Sequence, residues 1–354
     1  MATPEELINI EVRHQVLLER LKSGYYDPFN DTLKRIDKAT REALMLLNVE
    51  KISELSKRDL NILVAELRTV SLDLLGNQVE DFVDDLKKVA SEEAAFEVKA
   101  IESVVDDVKI KKPASGAAYV YANNLPIRAT GSLPAQFLAG LTINEADALA
   151  KTIRTGWVDG ATITDMVKRV RGTPSLRLTD GFTAQSKRRV QAQVRTITQH
   201  FSAVSREKVW KNNPKIVEGY EWVATLDSRT SSQCRSLDGK KFEVGEGPRP
   251  PIHFNCRSTT VPVLDDSLDF LDKGATRASV KGPVSAEETY YSWLKKQKPA
   301  FQDVAIGPTR ARLLRKGGLS ADKFAALNVD KNFKPLSLDD MKKKSPLAFE
   351  KADL

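Results

Sequence analysis

Cysteine and histidine are scarce in this chain, with two and three copies among 354 residues. Two thiols cannot build the disulfide framework that holds small secreted domains together, so the fold must rest on buried apolar area, and synthesis in a reducing cytoplasm is the expectation. No apolar run approaches the roughly 20 residues that cross a bilayer. The start, Met1-Ala-Thr-Pro-Glu-Glu6, has neither the basic residues nor the apolar stretch of a signal peptide, so no membrane is expected. The chemical motifs of the common enzymes are missing too. There is no phosphate loop of the form G-x-x-x-x-G-K-[ST], no H-E-x-x-H and no G-x-S-x-G. His253 is followed by Phe254 and Asn255, which departs from the H-x-E of the zinc deaminases. His14 and His200 fall in helical patterns where packing is the simpler role, and no enzyme is expected.

Proline is absent between Pro28 and Pro113, and Gly76 is the one glycine of that interval. Leu63, Leu67, Val70 and Leu74, then Phe82, Leu86 and Val89, recur at helical spacing, which predicts two or three long helices with a break near Gly76. Charge divides the chain at the same place. Residues 1–110 hold 23 acidic against 15 basic groups, whereas residues 111–354 hold 25 against 40. An acidic first third and a basic remainder suggest separate surfaces with different partners.

Thr142-Ile-Asn-Glu145 has the form of a capping box and predicts a helix start. Farther on, Val190, Val194, Ile197, Phe201 and Val204 form one apolar stripe, while Arg188, Arg195 and Arg206 form another about 200° of helical rotation away. The pattern predicts a helix buried along one side that presents arginines on the other. With Lys187 and Arg189 beside them, these are the candidate contacts to double-stranded DNA. The tail carries a second capping box, Ser285-Ala-Glu-Glu288, and few consecutive apolar residues, so it is expected to drape helices over a larger surface.

Between these segments the period changes. Tyr220–Leu226, Lys241–Val244 and Ser258–Val263 are short, rich in β-branched or aromatic residues, and separated by turns such as Asp238-Gly239. Trp222 is the expected core anchor of this module. Asp227 is expected to cap a turn, Arg229 and Arg257 to clasp carboxylates, and Asn255 to belong to the same framework. Cys234, His253 and Cys256 are candidate zinc ligands, but three donors fall one short of a structural site, and Asp227 or Asp238 would have to complete it. Small side chains packed on a tight turn is the preferred expectation, with no resident cofactor. The whole reads as a mainly α protein with a small α+β module: an acidic helical arm (1–112), a basic helical region (113–218), the short-stranded Cys/His module (219–264) and a C-terminal tail (265–354).

The module resembles the Mu F-like head-morphogenesis family, the minor head proteins of tailed bacteriophages. The likeness rests on Trp222, Leu226-Asp-Ser-Arg-Thr230, Cys234, Leu237-Asp-Gly239, Gly247-Pro248, Pro250-Pro251, His253, Asn255-Cys-Arg257 and Pro262. Many members of that family carry further cysteines where this chain has Ser231 and Ser258. The resemblance implies a structural protein of the virion present in multiple copies, docked to the portal or the major capsid protein and concerned with packaging or delivering DNA. Two rival readings stand beside it, a metal-dependent hydrolase or nuclease centred on Asp227, His253 and Cys256, and a transient assembly factor that never enters the particle.

Overall fold

The computed structural model describes residues 5–105, 108–265 and 276–354, so residues 1–4, 106–107 and 266–275 lie outside the described residues. Two long helices form its frame, α1 (Glu5–Met45) and α2 (Lys57–Glu102). At 1.5 Å per residue α2 is about 70 Å long. The Ser56 hydroxyl caps α2 by accepting from the Asp59 N–H at 3.2 Å. The helix runs straight through Gly76, where the sequence suggested a break. A glycine inside a helix costs only about 1 kcal/mol. The row Leu75, Phe82, Leu86 and Val89, all buried, outweighs it.

Four helices follow: α3 (Ala117–Asn123), α4 (Pro134–Val158), α5 (Ile163–Arg171) and α6 (Phe182–Asn212). Helix α4 starts eight residues before Thr142, with Pro134 at its first position, so the Thr142–Glu145 box is interior to a helix and caps nothing. Glu145 is instead buried and receives the Ser186 hydroxyl and the Arg189 guanidinium from α6.

Helix α6 is the axis about which α1, α2, α3, α4 and α5 pack. From Thr196 to Glu207 every residue is buried. Its polar residues are short enough to be enclosed. Thr196 and Thr198 turn their hydroxyls back onto the carbonyls of Ala192 and Val194, and Ser202 donates to Glu93 of α2 at 2.7 Å. A helix with one apolar stripe was predicted, and the stripe is buried, but from Thr196 to Glu207 the opposite face is buried as well.

Strand β1 (Val217–Val223) is central in an antiparallel sheet, between β2 (Lys241–Glu243) and β3 (Thr259–Leu264). Tyr220 faces Phe242 on one side and Pro262 on the other. The short helix α7 (Ser232–Leu237) links β1 to β2. The sheet shares the helices' core: Val217, Tyr220, Val223, Val261 and Leu264 belong to one apolar cluster with Leu7, Phe29, Leu86 and Val204. The described residues of 1–112, 113–218 and 219–264 therefore share one core.

The described part of the tail from residue 276 holds a hairpin, β4 (Thr276–Ser279) and β5 (Gly282–Ser285), then six short helices: α8 (Tyr290–Lys295), α9 (Pro299–Ile306), α10 (Pro308–Lys316), α11 (Ala321–Leu327), α12 (Leu338–Lys344) and α13 (Pro346–Lys351). Ser285 ends a strand, and the cap position of α8 is Thr289, not the predicted box. Nor does the tail drape. Tyr291, Trp293, Leu314, Phe324, Met341 and Phe349 close a second core. Aromatic residues supply in bulk what consecutive apolar runs do not, with Tyr291 and Phe324 packed edge to face at 4.9 Å. No described helix is long and apolar enough to cross a membrane.

Candidate metal centre and the clamps around it

Helix α7 exists because Ser231 caps it, accepting from the Cys234 N–H at 3.2 Å. That cap places Cys234 on the first turn, facing inward. The chain from Pro250 to Arg257 crosses beneath, entering through a cis Pro250–Pro251 bond and turning at Asn255, whose φ of 58° is tolerated by asparagine better than by bulkier residues. Asn255 is tied to α6 through its N–H, which donates to the Thr196 hydroxyl at 3.1 Å. The turn delivers His253 and Cys256 to the same point as Cys234.

Three ligand atoms meet there, one from each of Cys234, His253 and Cys256, all within 4.8 Å of one another. The two sulfurs are 3.8 Å apart, and His253 Nε2 lies 3.1 Å from Cys234 Sγ and 2.9 Å from the Ser231 hydroxyl. His253 Nδ1 is 2.8 Å from the Phe254 carbonyl, to which it donates, leaving Nε2 directed at the thiols. Both cysteines are reduced and 1% exposed, walled by Trp222, Ala224 and Leu237. Burial pushes the Cys234 thiol well up. Burial opposes charge on Cys256 as well, but hydrogen bonds from Cys234 and His253 overcome it and hold that thiol well below the usual range. Burial likewise disfavours a charged His253, and Cys256 more than compensates, raising it.

Two carboxylates brace the site. Asp227 takes Arg257 in a fork, at 2.6 and 2.9 Å, and accepts the backbone N–H groups of Arg229 and Thr230. Burial works against the Asp227 charge, and the Arg257 fork prevails, holding its carboxyl below the usual range. Arg229 is different: its side chain is 80% exposed and stands 3.6 Å from Asp227, so of the two arginines Arg257 makes the clasp. Asp238 was expected to turn the chain ahead of Gly239, which does adopt a φ of 79°, or to complete a metal site, which neither it nor Asp227 joins among the described residues. It does more. Its carboxylate accepts from the Ala224 N–H at the end of β1, from Arg277 of β4 at 3.1 Å and from the Tyr290 N–H of α8 at 2.6 Å. Neither Arg277 nor Tyr290 carried any sequence signal, because each matters only through a neighbour about 40 to 50 positions away.

The predicted arginine face requires correction. Arg206 is 1% exposed and pairs with Glu11 of α1, with Glu93 of α2 at 3.5 Å. Arg195 pairs with Glu19, and Arg189 grips Glu145 through two contacts of 2.7 Å. Lys187 is half-buried and Arg188 alone of the three stripe arginines is exposed, donating to the Thr179 carbonyl at 3.2 Å. The physical reason lies in the acidic first third. Glu11, Glu19 and Glu93 face α6, so part of the charge asymmetry is neutralised inside the molecule rather than displayed on two surfaces. Lys22, also buried, pairs with Glu19 in the same layer.

Residues 147–261 match the family model described as phage Mu protein F like protein. The matched span runs from within α4 to within β3 and includes α6, the Asp227 and Asp238 clamps and the Cys/His cluster. Comparison with curated proteins and with solved structures found no match.

Proposed function

We propose that this chain, whose residues 147–261 match the phage Mu protein F like model, is a minor head protein of the virion. It docks at the portal vertex or on the capsid interior, contacts packaged double-stranded DNA, and acts in head assembly, packaging or delivery of the genome. On this reading it is made in the host cytoplasm, enters the particle in multiple copies and is not an enzyme. The observation that carries the proposal is the family match itself, which covers the central helix and the sheet built on it. The closed surroundings of Cys234 and Cys256 also favour a structural role over the rival metal-dependent hydrolase, since a catalytic metal must meet its substrate.

With Arg206, Arg195 and Arg189 engaged, the DNA contacts are assigned to other groups. Residues 290–354 hold 14 basic against 7 acidic side chains. Lys316, Lys323, Lys331, Lys343, Lys344 and Lys351 are exposed there. Together with Lys187 and Arg188 they offer the phosphate-neutralising surface that the stripe does not.

Quantitative mass spectrometry of purified infectious particles, normalised to the portal protein before and after triggered DNA release, tests the proposal. A fixed ratio to portal that survives release identifies a vertex protein, and loss on release identifies an ejected one. Absence from the particle would overturn virion membership and favour the transient assembly factor.

A further inference from the structure

The Cys234, His253 and Cys256 cluster serves no purpose in the proposed function, and its geometry exceeds what packing requires. Two thiols in contact need no imidazole. Yet His253 is anchored through Nδ1 on the Phe254 carbonyl, so that Nε2 points at Cys234 and Ser231. That is the arrangement by which a metal-bound histidine is normally held, one nitrogen fixed on a carbonyl and the other free for the ion. A disulfide does not account for it either, because the sulfurs stand 3.8 Å apart, against about 2.05 Å in the bond, and the histidine would have no part. Zinc–sulfur bonds of about 2.3 Å at the tetrahedral angle put two sulfurs about 3.8 Å apart. That is the separation observed. The His253 nitrogen, at 3.1 Å from Cys234 Sγ, would move outward by a few tenths of an ångström to reach its place on the same tetrahedron.

We propose that Cys234, His253 and Cys256 bind one zinc ion, with its fourth position facing the Ser231 hydroxyl. The charges suit the enclosure. Two thiolates cancel the ion's double positive charge and a neutral imidazole adds none, so a net neutral centre sits among Trp222, Ala224 and Leu237. Each thiol still protonated gives up its proton to solvent as its sulfur takes the metal. Sulfur donors select zinc over magnesium or calcium. The ligands come from two stretches of chain, the first turn of α7 and the crossing from Pro250 to Arg257, so the ion rivets one onto the other. This centre is independent of where the protein docks in a phage head.

The test uses the full chain, purified under reducing conditions without chelator, and reads zinc per chain by elemental mass spectrometry. One zinc per chain is expected. Cobalt exchanged into the site should show thiolate-to-metal charge transfer and the absorption of a tetrahedral ion. Cys256→Ser and His253→Ala should lose the metal. Ser231→Ala should bind zinc about tenfold more weakly in competition with a chelator, as removing a group beside the metal does. Ser231→Cys, which adds a fourth strong ligand, should bind it more tightly. Protein that stays metal-free after incubation with zinc, with both thiols titrating as free, would overturn the assignment. So would bound zinc that survives both Cys256→Ser and His253→Ala in folded protein. Should those variants fail to fold, the metal content and cobalt spectrum of the unaltered chain still decide.

Discussion

Arg206 shows how much one side chain can depend on its enclosure. It is the buried partner of Glu11 and Glu93, and burial pushes Glu11 well up against the pull of that arginine. Removing one member of such a set leaves a charge stranded, at a cost of about 3–5 kcal/mol. Arg206→Ala should therefore lose about that much stability in urea unfolding, while the exposed Arg188→Ala should stay within about 0.5 kcal/mol. Equal effects of the two would contradict the buried assignment. Asp238→Ala should also be costly, on the order of 3–5 kcal/mol, because Arg277 is left unpaired in the interior. Its loss should in addition make the tail more sensitive to protease, since Asp238 holds both β4 and α8. His200 supplies a pH test. Burial lowers it from 6.5 to about 3, and its Nε2 donates to the Ala122 carbonyl at 2.9 Å. The unfolded chain takes up this proton as pH falls below 6.5, whereas the folded chain refuses it until about 3. Its stability contribution is thus full above 6.5 and is lost on acidification, with a slope of about 1.4 kcal/mol per pH unit. Comparison with His200→Gln, which keeps a donor for Ala122 but cannot titrate, isolates this slope from the opposing one of Glu11.

Among the elements, α6 and β1 depend most on what surrounds them. A helix enclosed from Thr196 to Glu207 has no face left to stand alone in water, because α1, α2 and α3 cover what α4 does not. A fragment of residues 147–261, the span matched by the family model, lacks the first three of those helices. Such a fragment should show no cooperative thermal transition and should bind a hydrophobic dye, as collapsed chains without fixed packing do. A sharp transition equal to that of the whole chain would show that the frame helices are dispensable. In the sheet, Gly219 lies where a Cβ would come within 2.5 Å of the Phe242 carbonyl oxygen. Gly219→Ala should accordingly force β2 away from β1 and weaken amide-exchange protection at Tyr220 and Glu221, whose partners are Phe242 and Lys241.

For the whole molecule, the distribution of charge carries the functional consequence. The acidic first third is spent partly on α6, whereas the lysines of the tail remain exposed. If those lysines meet DNA, binding should weaken linearly in log–log form with salt, and each phosphate left without its cation should flatten the slope by about 0.9. Lys343→Gln combined with Lys344→Gln should then reduce the slope by up to about 2 while leaving stability nearly unchanged. An unaltered slope would remove those two residues from the interface. The combined Arg188, Arg195 and Arg206 replacement is the wrong experiment, because two of the three hold the fold together.

The chain's own order determined the class of the protein. Helical spacing marked the long N-terminal helices, turn dipeptides and β-branched runs marked β1 to β3 within a few residues, and the motif from Trp222 to Arg257 carried the family resemblance. Those signals are local, set by neighbours within one helical turn or one hairpin, and so they survive in one dimension. Tertiary structure alone decided whether Arg206 meets solvent or Glu11, whether the tail drapes or closes a core, and that Asp238 joins three elements. Each of those outcomes depends on groups far apart in sequence, such as positions 11 and 206, and a charge reads the same on paper whether water or a carboxylate lies opposite it. The same holds for Cys234, His253 and Cys256: their residue types were visible from the start, but only the fold brought three donors to one point.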